Sequence, residues 1–286
     1  MNEVKSIGIV GAGQMGAGIA QVAAVSGLNV VLRDVSPEVI ERALQGIARG
    51  LDKLVEKGKL SASDRADALG RIRGASKVDE LGGSDFVVEA VSEDESLKRR
   101  VLAELDVAIR DDAILASNTS SISITRLAAT TKRADRFIGM HFMNPVPLMA
   151  LVELIPGLAT SEHTFQVTRT LAERMGKKTV RSEDQPGFVV NRILLPMINE
   201  AVFALGEGLA SPEEIDLAMK LGTNQPMGPL ELADFIGLDT CLSIMEVLHR
   251  GLGDPKYRPA PLLRRYVDAG WLGRKAGRGF FAYNKK

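Results

Sequence analysis

Short apolar runs alternate with amphipathic stretches along the first two-thirds of the chain. Val4–Val10, Val30–Leu32, Ile72–Ala75, Asp85–Val91, Ile114–Ala116, Phe137–Phe142, Leu151–Ile155 and Thr179–Arg181 read as strands. Runs such as Phe86-Val87-Val88-Glu89-Ala90-Val91 are continuous rather than alternating, which predicts strands covered on both faces, as in a parallel sheet. Between them the spacing predicts helices over Ala17–Val25, Glu38–Lys57, Ser61–Leu69, Thr164–Met175 and from Ser92 to about Arg110. Ser36-Pro37 has the cap and first-turn proline of a helix start, and Ser92 to Glu95 has capping-box spacing. Asp184-Gln185-Pro186-Gly187 ends the alternation. Beyond it only helices are predicted: Phe188–Leu205, Ser211 to about Leu221, Met227–Phe235, Leu238–His249 and Pro261–Ala269. Phe188–Leu205 is apolar almost all round and contains Pro196, so a kinked helix buried on every side is expected. A helical domain of this size cannot bury that helix alone, which predicts a homodimer.

The first strand runs directly into Gly11-Ala12-Gly13-Gln14-Met15-Gly16, and the second ends on Arg33-Asp34. Strand, glycine turn, helix, strand and acid together make a dinucleotide-binding unit of the Rossmann type. Gly11 makes the tight turn, Gly13 lets backbone approach a pyrophosphate, and Gly16 lets helix and strand pack closely. Asp34 is placed to hydrogen-bond the adenosine ribose and to repel a 2′-phosphate, which favours NAD; Arg33 beside it weakens that preference and leaves NADP possible. The chain therefore reads as α/β: a doubly wound Rossmann domain over 1–184, then an all-α domain over 187–286.

Composition adds mainly exclusions. Lys+Arg and Asp+Glu both number 36 in 286 residues, so no global field favours nucleic acid or an anionic membrane. A single cysteine, Cys241, excludes an internal disulfide; it lies in an apolar helical run and reads as packing. No leader or membrane span is visible, and the closing Tyr-Asn-Lys-Lys matches no targeting tripeptide, so a cytoplasmic protein is expected. Lys53, Glu56, Lys57 and Lys59 form a charged cluster that is either a solvated helix end or a phosphate contact. His249 sits near a helix C-terminus and reads as structural, while His163 precedes a predicted helix and reads as exposed. The glycine-rich tail Gly270–Phe281 cannot be helix; its three basic residues could meet an anion.

The chemistry concentrates in Gly139–Glu153. Asn144-Pro145-Val146-Pro147 cannot be strand or helix interior, so the chain leaves the sheet past His141 and re-enters near Glu153. A charged group among valine and leucine needs a partner, and His141 is the candidate. A carboxylate holding an imidazole fixes its tautomer and makes a general base. The alternative is a satisfied core histidine and a solvated glutamate. Ser117-Asn118-Thr119-Ser120-Ser121 follows a buried strand, at the carboxyl end where open α/β sheets bind ligands. Some of these residues are expected to cap the next helix and at least one to face a ligand.

With these elements placed, the whole chain resembles the 3-hydroxyacyl-CoA dehydrogenases, and in size the short bacterial 3-hydroxybutyryl-CoA dehydrogenases. GAGQMGAGIA, SNTSS, HFMNPVPLM-x-LVE, PGFVVNR and GRKAGRGFF carry the resemblance. It implies a base, His141, oriented by Glu153, with Ser120 and Asn191 hydrogen-bonding an acyl-CoA substrate. It places Glu93, Lys98, Ser120 and Asn144 at the nicotinamide half of the NAD site, with Lys275 as a further cofactor contact. It gives Lys57 the coenzyme A phosphates, and has Gly50 where the family uses a serine. The implied reaction interconverts a 3-hydroxyacyl-CoA and a 3-oxoacyl-CoA with NAD. Rival readings are a related dehydrogenase of a non-CoA hydroxy or sugar acid, a nicotinamide-binding protein without turnover, and a serine hydrolase. The last lacks a nucleophile elbow and leaves the glycine turn without purpose.

Overall fold

The structure is a computed structural model that describes residues 4–283. All eight apolar runs become strands: β1 Ser6–Val10, β2 Asn29–Arg33, β3 Ile72–Ala75, β4 Phe86–Glu89, β5 Ile114–Ser117, β6 Phe137–Phe142, β7 Leu151–Pro156 and β8 Lys178–Arg181. They form one sheet in the order β3-β2-β1-β4-β5-β6-β7-β8. Every pairing is parallel except β6 with β7, where His141 stands opposite Glu153. The order reverses between β1 and β4, and a ligand crevice opens at the carboxyl ends of the strands on either side of such a reversal. The central strands are buried on both faces, which is why their sequences run apolar without alternation.

Helices α1 Gln14–Val25, α2 Pro37–Glu56, α3 Ala62–Gly70, α4 Glu95–Ala108, α5 Ile124–Ala128 and α6 Glu162–Arg174 accompany the sheet. The core joins Ile7, Ile9, Leu32, Val88, Met140 and Val152 of the sheet to Ile19, Ala23, Ile47 and Leu51 of α1 and α2. Ser36 caps α2 by accepting from Val39 N–H at 3.3 Å, with proline at the first position. Two caps differ from the sequence reading. Asp94, not Ser92, opens α4 by accepting from Leu97 N–H at 2.7 Å; a carboxylate there also meets the positive end of the helix dipole. None of Ser117–Ser121 caps α5. Ser123 does so, and the carboxylate of Asp184 accepts from Ser123 Oγ at 2.8 Å, Ile124 N at 2.9 Å and Thr125 N at 2.8 Å. Ser161 caps α6, so His163 lies exposed inside its first turn rather than before it.

The chain divides into two units between Gln185 and Pro186. The second contains α7 Val190–Gly206, α8 Pro212–Gly222, α9 Pro229–Ile236, α10 Leu238–Leu252 and α11 Pro261–Asp268. Leu195, Ile198, Val202, Leu230, Met245, Leu248 and Leu263 form its core. Within the chain α7 is not buried all round, for Ile193 is 68% exposed. Cys241 is buried, and burial pushes its thiol up to about 12, as suits packing. The glycine-rich tail folds back on α9. The buried carboxylate of Asp234 accepts from Phe280 and Phe281 N–H, both at 2.9 Å, and from Tyr283 Oη at 3.0 Å. The tail's basic residues meet the protein itself: Arg274 pairs with Glu231, Lys275 with Asp239, and Arg278 stacks on Trp271. Asn284, Lys285 and Lys286 of the terminal tetrapeptide lie outside the described residues.

Asp184→Ala removes three hydrogen bonds from the start of α5. It is expected to cost about 1–3 kcal/mol, read as a lower urea midpoint at unchanged slope.

Candidate active site

The glycine turn has the shape a pyrophosphate requires. Gly11 has φ 102°, and a Cβ there would strike the Ala90 carbonyl; at Gly16 it would overlap the Gly11 carbonyl. At Gly13 a Cβ would meet nothing within 4 Å, so open space lies over the turn where α1 begins. Ala12, Gln14 and Met15 complete the turn, with Gln14 exposed. The Asp34 carboxylate accepts from Ala12 N–H at 2.8 Å and Ser36 N–H at 3.2 Å, which fixes it beside the turn. The buried Nε of neighbouring Arg33 has no hydrogen-bond partner among the described residues. These residues fit a dinucleotide whose ribose hydroxyls meet Asp34.

Further along the same sheet edge, His141 lies one residue before the end of β6 and Glu153 lies in β7. His141 Nδ1 is 2.8 Å from Glu153 Oε2, and His141 Nε2 is 3.1 Å from Ser120 Oγ. Glu153 is wholly buried and His141 is 5% exposed. An ionised carboxylate can only accept, so Nδ1 carries the proton and Nε2 presents its lone pair. The sequence expectation of a paired acid and imidazole is met in the geometry, and Ser120 joins them.

Ser120 is held there by its neighbours. Glu93 accepts from Thr119 Oγ1 at 2.6 Å, Ser120 N–H at 2.8 Å, Ser121 N–H at 3.1 Å and Ser121 Oγ at 3.0 Å. Burial pushes the Glu93 carboxyl up, but the Lys98 charge and these hydrogen bonds outweigh it, and its proton affinity ends below the ordinary carboxylate level. Lys98, 1% exposed, lies 3.4 Å from Glu93 and 2.8 Å from Glu89. Asn118 Oδ1 accepts from Phe142 N–H at 2.9 Å, tying the serine turn to the strand that carries His141. Val146 of the loop past His141 packs where α1 has Gly18, since a Cβ at that glycine would lie 2.8 Å from Val146. Asn144 is exposed on that loop.

The structure therefore brings His141, Glu153, Ser120, Glu93 and Lys98 into one linked group. Lys57 is exposed at the end of α2. Gly50 on that helix faces Gln21, whose Oε1 a Cβ would approach to 2.6 Å, so a serine there would require Gln21 to move. Asn191 lies in the first turn of α7, and Lys275 is 2.6 Å from Asp239. Sequence reading missed Glu89, Asn118 and Asp184 as organising residues. Glu89 alone carried a signal: a charge in an otherwise apolar strand.

Comparisons with known proteins agree along the whole chain. A family model described as the 3-hydroxyacyl-CoA dehydrogenase NAD-binding domain matches residues 6–185, and one for the C-terminal domain matches 187–283. A 3-hydroxybutyryl-CoA dehydrogenase of Bradyrhizobium diazoefficiens is 56% identical over 98% of this chain and 96% of its own. A probable 3-hydroxybutyryl-CoA dehydrogenase of Bacillus subtilis is 56% identical over 99% of both. The crystal structure of an (S)-3-hydroxybutyryl-CoA dehydrogenase from Ralstonia eutropha superposes with a TM-score of 0.97 at 56% identity, covering 99% of this chain and 100% of that one. With a glycine turn built for a dinucleotide and both domain models matched from end to end, the chain belongs to the 3-hydroxyacyl-CoA dehydrogenase family.

Proposed function

We propose that this protein interconverts (S)-3-hydroxybutyryl-CoA and acetoacetyl-CoA using NAD. The observation that carries the proposal is the Ser120–His141–Glu153 line, at 3.1 and 2.8 Å, on the sheet edge that also bears the glycine turn. Oxidising a secondary alcohol needs a base on the hydroxyl and a hydride acceptor at the carbon. NAD, when bound, supplies the hydride acceptor. Ser120 holds the 3-hydroxyl, and His141 takes its proton at Nε2. Glu153 keeps the proton of Nδ1 and stabilises the imidazolium that forms, at a depth where an unpartnered cation would be costly. In the reverse direction His141 returns the proton to the carbonyl oxygen. Asn191 is assigned to polarising that oxygen, Lys57 to the coenzyme A phosphates, and Glu93, Lys98, Asn144 and Lys275 to the nicotinamide half of the cofactor. The fixed Asp34 carboxylate supports NAD over NADP.

The partner we propose is a second copy of the chain. Its support is apolar surface on three helices of the second unit: Ile193 at 68%, Leu217 at 55%, Leu221 at 77% and Phe235 at 48% exposure. A cytoplasmic location is supported by the single reduced, buried cysteine. Among the described residues no helix is long and apolar enough to cross a membrane.

His141→Gln is expected to lower kcat by about 10²–10⁴-fold while the NADH dissociation constant moves less than about threefold. Acetoacetyl-CoA should exceed free acetoacetate by more than about a hundredfold in kcat/KM, since the remote coenzyme contributes binding energy to the reacting centre. Equal rates would remove the coenzyme A assignment, and a preference for NADPH over NADH would remove the role given to Asp34. Sedimentation equilibrium should give twice the chain mass, and Ile193→Glu should return the monomer.

A further inference from the structure

Glu89 has no place in the roles above. It ends β4 among apolar residues, is wholly buried and stands opposite Ser117 in the β4–β5 ladder. Its Oε2 accepts the Ser117 hydroxyl at 2.6 Å. Its Oε1 accepts Lys98 Nζ at 2.8 Å and Val91 N–H at 2.7 Å. Lys98 also donates to the Val91 carbonyl at 3.2 Å and reaches Glu93 at 3.4 Å. Glu93 in turn grips Thr119, Ser120 and Ser121. The links then pass through Ser120 Oγ to His141 and Glu153. Two wholly buried carboxylates, on β4 and β7, thus bracket the strand ends that hold the serine turn.

A buried ammonium takes its position from its partners. Lys98 is shared between Glu89 on the inside and Glu93 on the outside. Removing the inner charge leaves the outer one as its only carboxylate. Lys98, which faces Glu93 Oε2, would then move toward that oxygen and pull the carboxylate whose Oε1 takes the four donors that fix the turn. Loss of the same charge also slackens Ser117, the residue from which the turn departs. Polar networks of this kind respond as a unit.

We propose that Glu89 is a positioning residue for the reaction: through Lys98, Ser117 and Glu93 it sets the Ser120 hydroxyl against His141. The proposal rests on the reading of Ser120 and His141 given above. It is tested by acetoacetyl-CoA reduction with NADH in a double-mutant cycle of Glu89→Gln and Ser120→Ala. Ser120→Ala alone is expected to lower kcat by about 10–100-fold. Glu89→Gln is expected to lower kcat about 30-fold in the parent, because sub-ångström misplacement of a reacting group is costly. In the Ser120→Ala background the same change should cost less than about threefold, since the group it positions is already gone. The same factor in both backgrounds would overturn the proposal and leave the reading of Ser120 standing. An undiminished Ser120→Ala would overturn that reading, and the proposal with it. Ser117→Ala removes one hydrogen bond from Glu89 without changing charge, and serves where Glu89→Gln does not fold. It should lower kcat about threefold to tenfold in the parent and not at all with Ser120→Ala; full activity in the parent would overturn the proposal.

Discussion

A carboxylate and an imidazole facing each other inside a sheet are the constraint around which the first unit is arranged. Glu153 is wholly buried, and His141 lies 2.8 Å away to meet its charge. The two are directly opposite in the one antiparallel pairing of an otherwise parallel sheet. A parallel connection needs a crossover of a dozen or more residues and could not have brought positions 141 and 153 face to face. The local reversal of strand direction thus delivers imidazole and carboxylate together, from residues close in sequence. It also turns the other ring nitrogen, Nε2, toward Ser120 in the turn that follows β5.

Much of this was legible in the sequence because the relevant physics is local. Glycines that must turn tightly, strands that must be buried on both faces, and prolines that must leave a sheet each announce themselves within a few residues. Glu153 was found by asking what a charge does among valine and leucine. The same question applied to Glu89 would have found the second buried carboxylate, with Lys98 on the following helix as its partner. What could not be read was competition between candidate caps. Ser92 had the right spacing, but Asp94 offers an acid to the same helix start. The Ser117–Ser121 cluster looked like a cap, yet Thr119, Ser120 and Ser121 donate to Glu93 and Ser117 to Glu89, and the α5 cap is completed by Asp184, some sixty residues on.

The second unit was less transparent for the same reason. Its helices follow from periodicity, but the fate of the tail depends on a carboxylate far back in the chain. Asp234 gathers two backbone amides and a phenol, and burial pushes its own proton affinity up against those hydrogen bonds. The tail's cations, which in sequence suggested an anion, are taken up by Glu231, Asp239 and the face of Trp271.

Lys177 shows what the fold does without a counter-ion. Its buried ammonium donates to the carbonyls of Val146 and Met149, at 2.5 and 2.8 Å, in the loop that follows His141, and burial lowers its hold on the proton. Organising carbonyl oxygens around a positive centre is work that other proteins assign to calcium or sodium. Here the cation arrives on a side chain, so the centre that gathers these oxygens is part of the covalent chain. Its vulnerability lies instead in chemistry that caps the amine: an acylated Lys177 would leave two inward-facing oxygens with nothing to gather them.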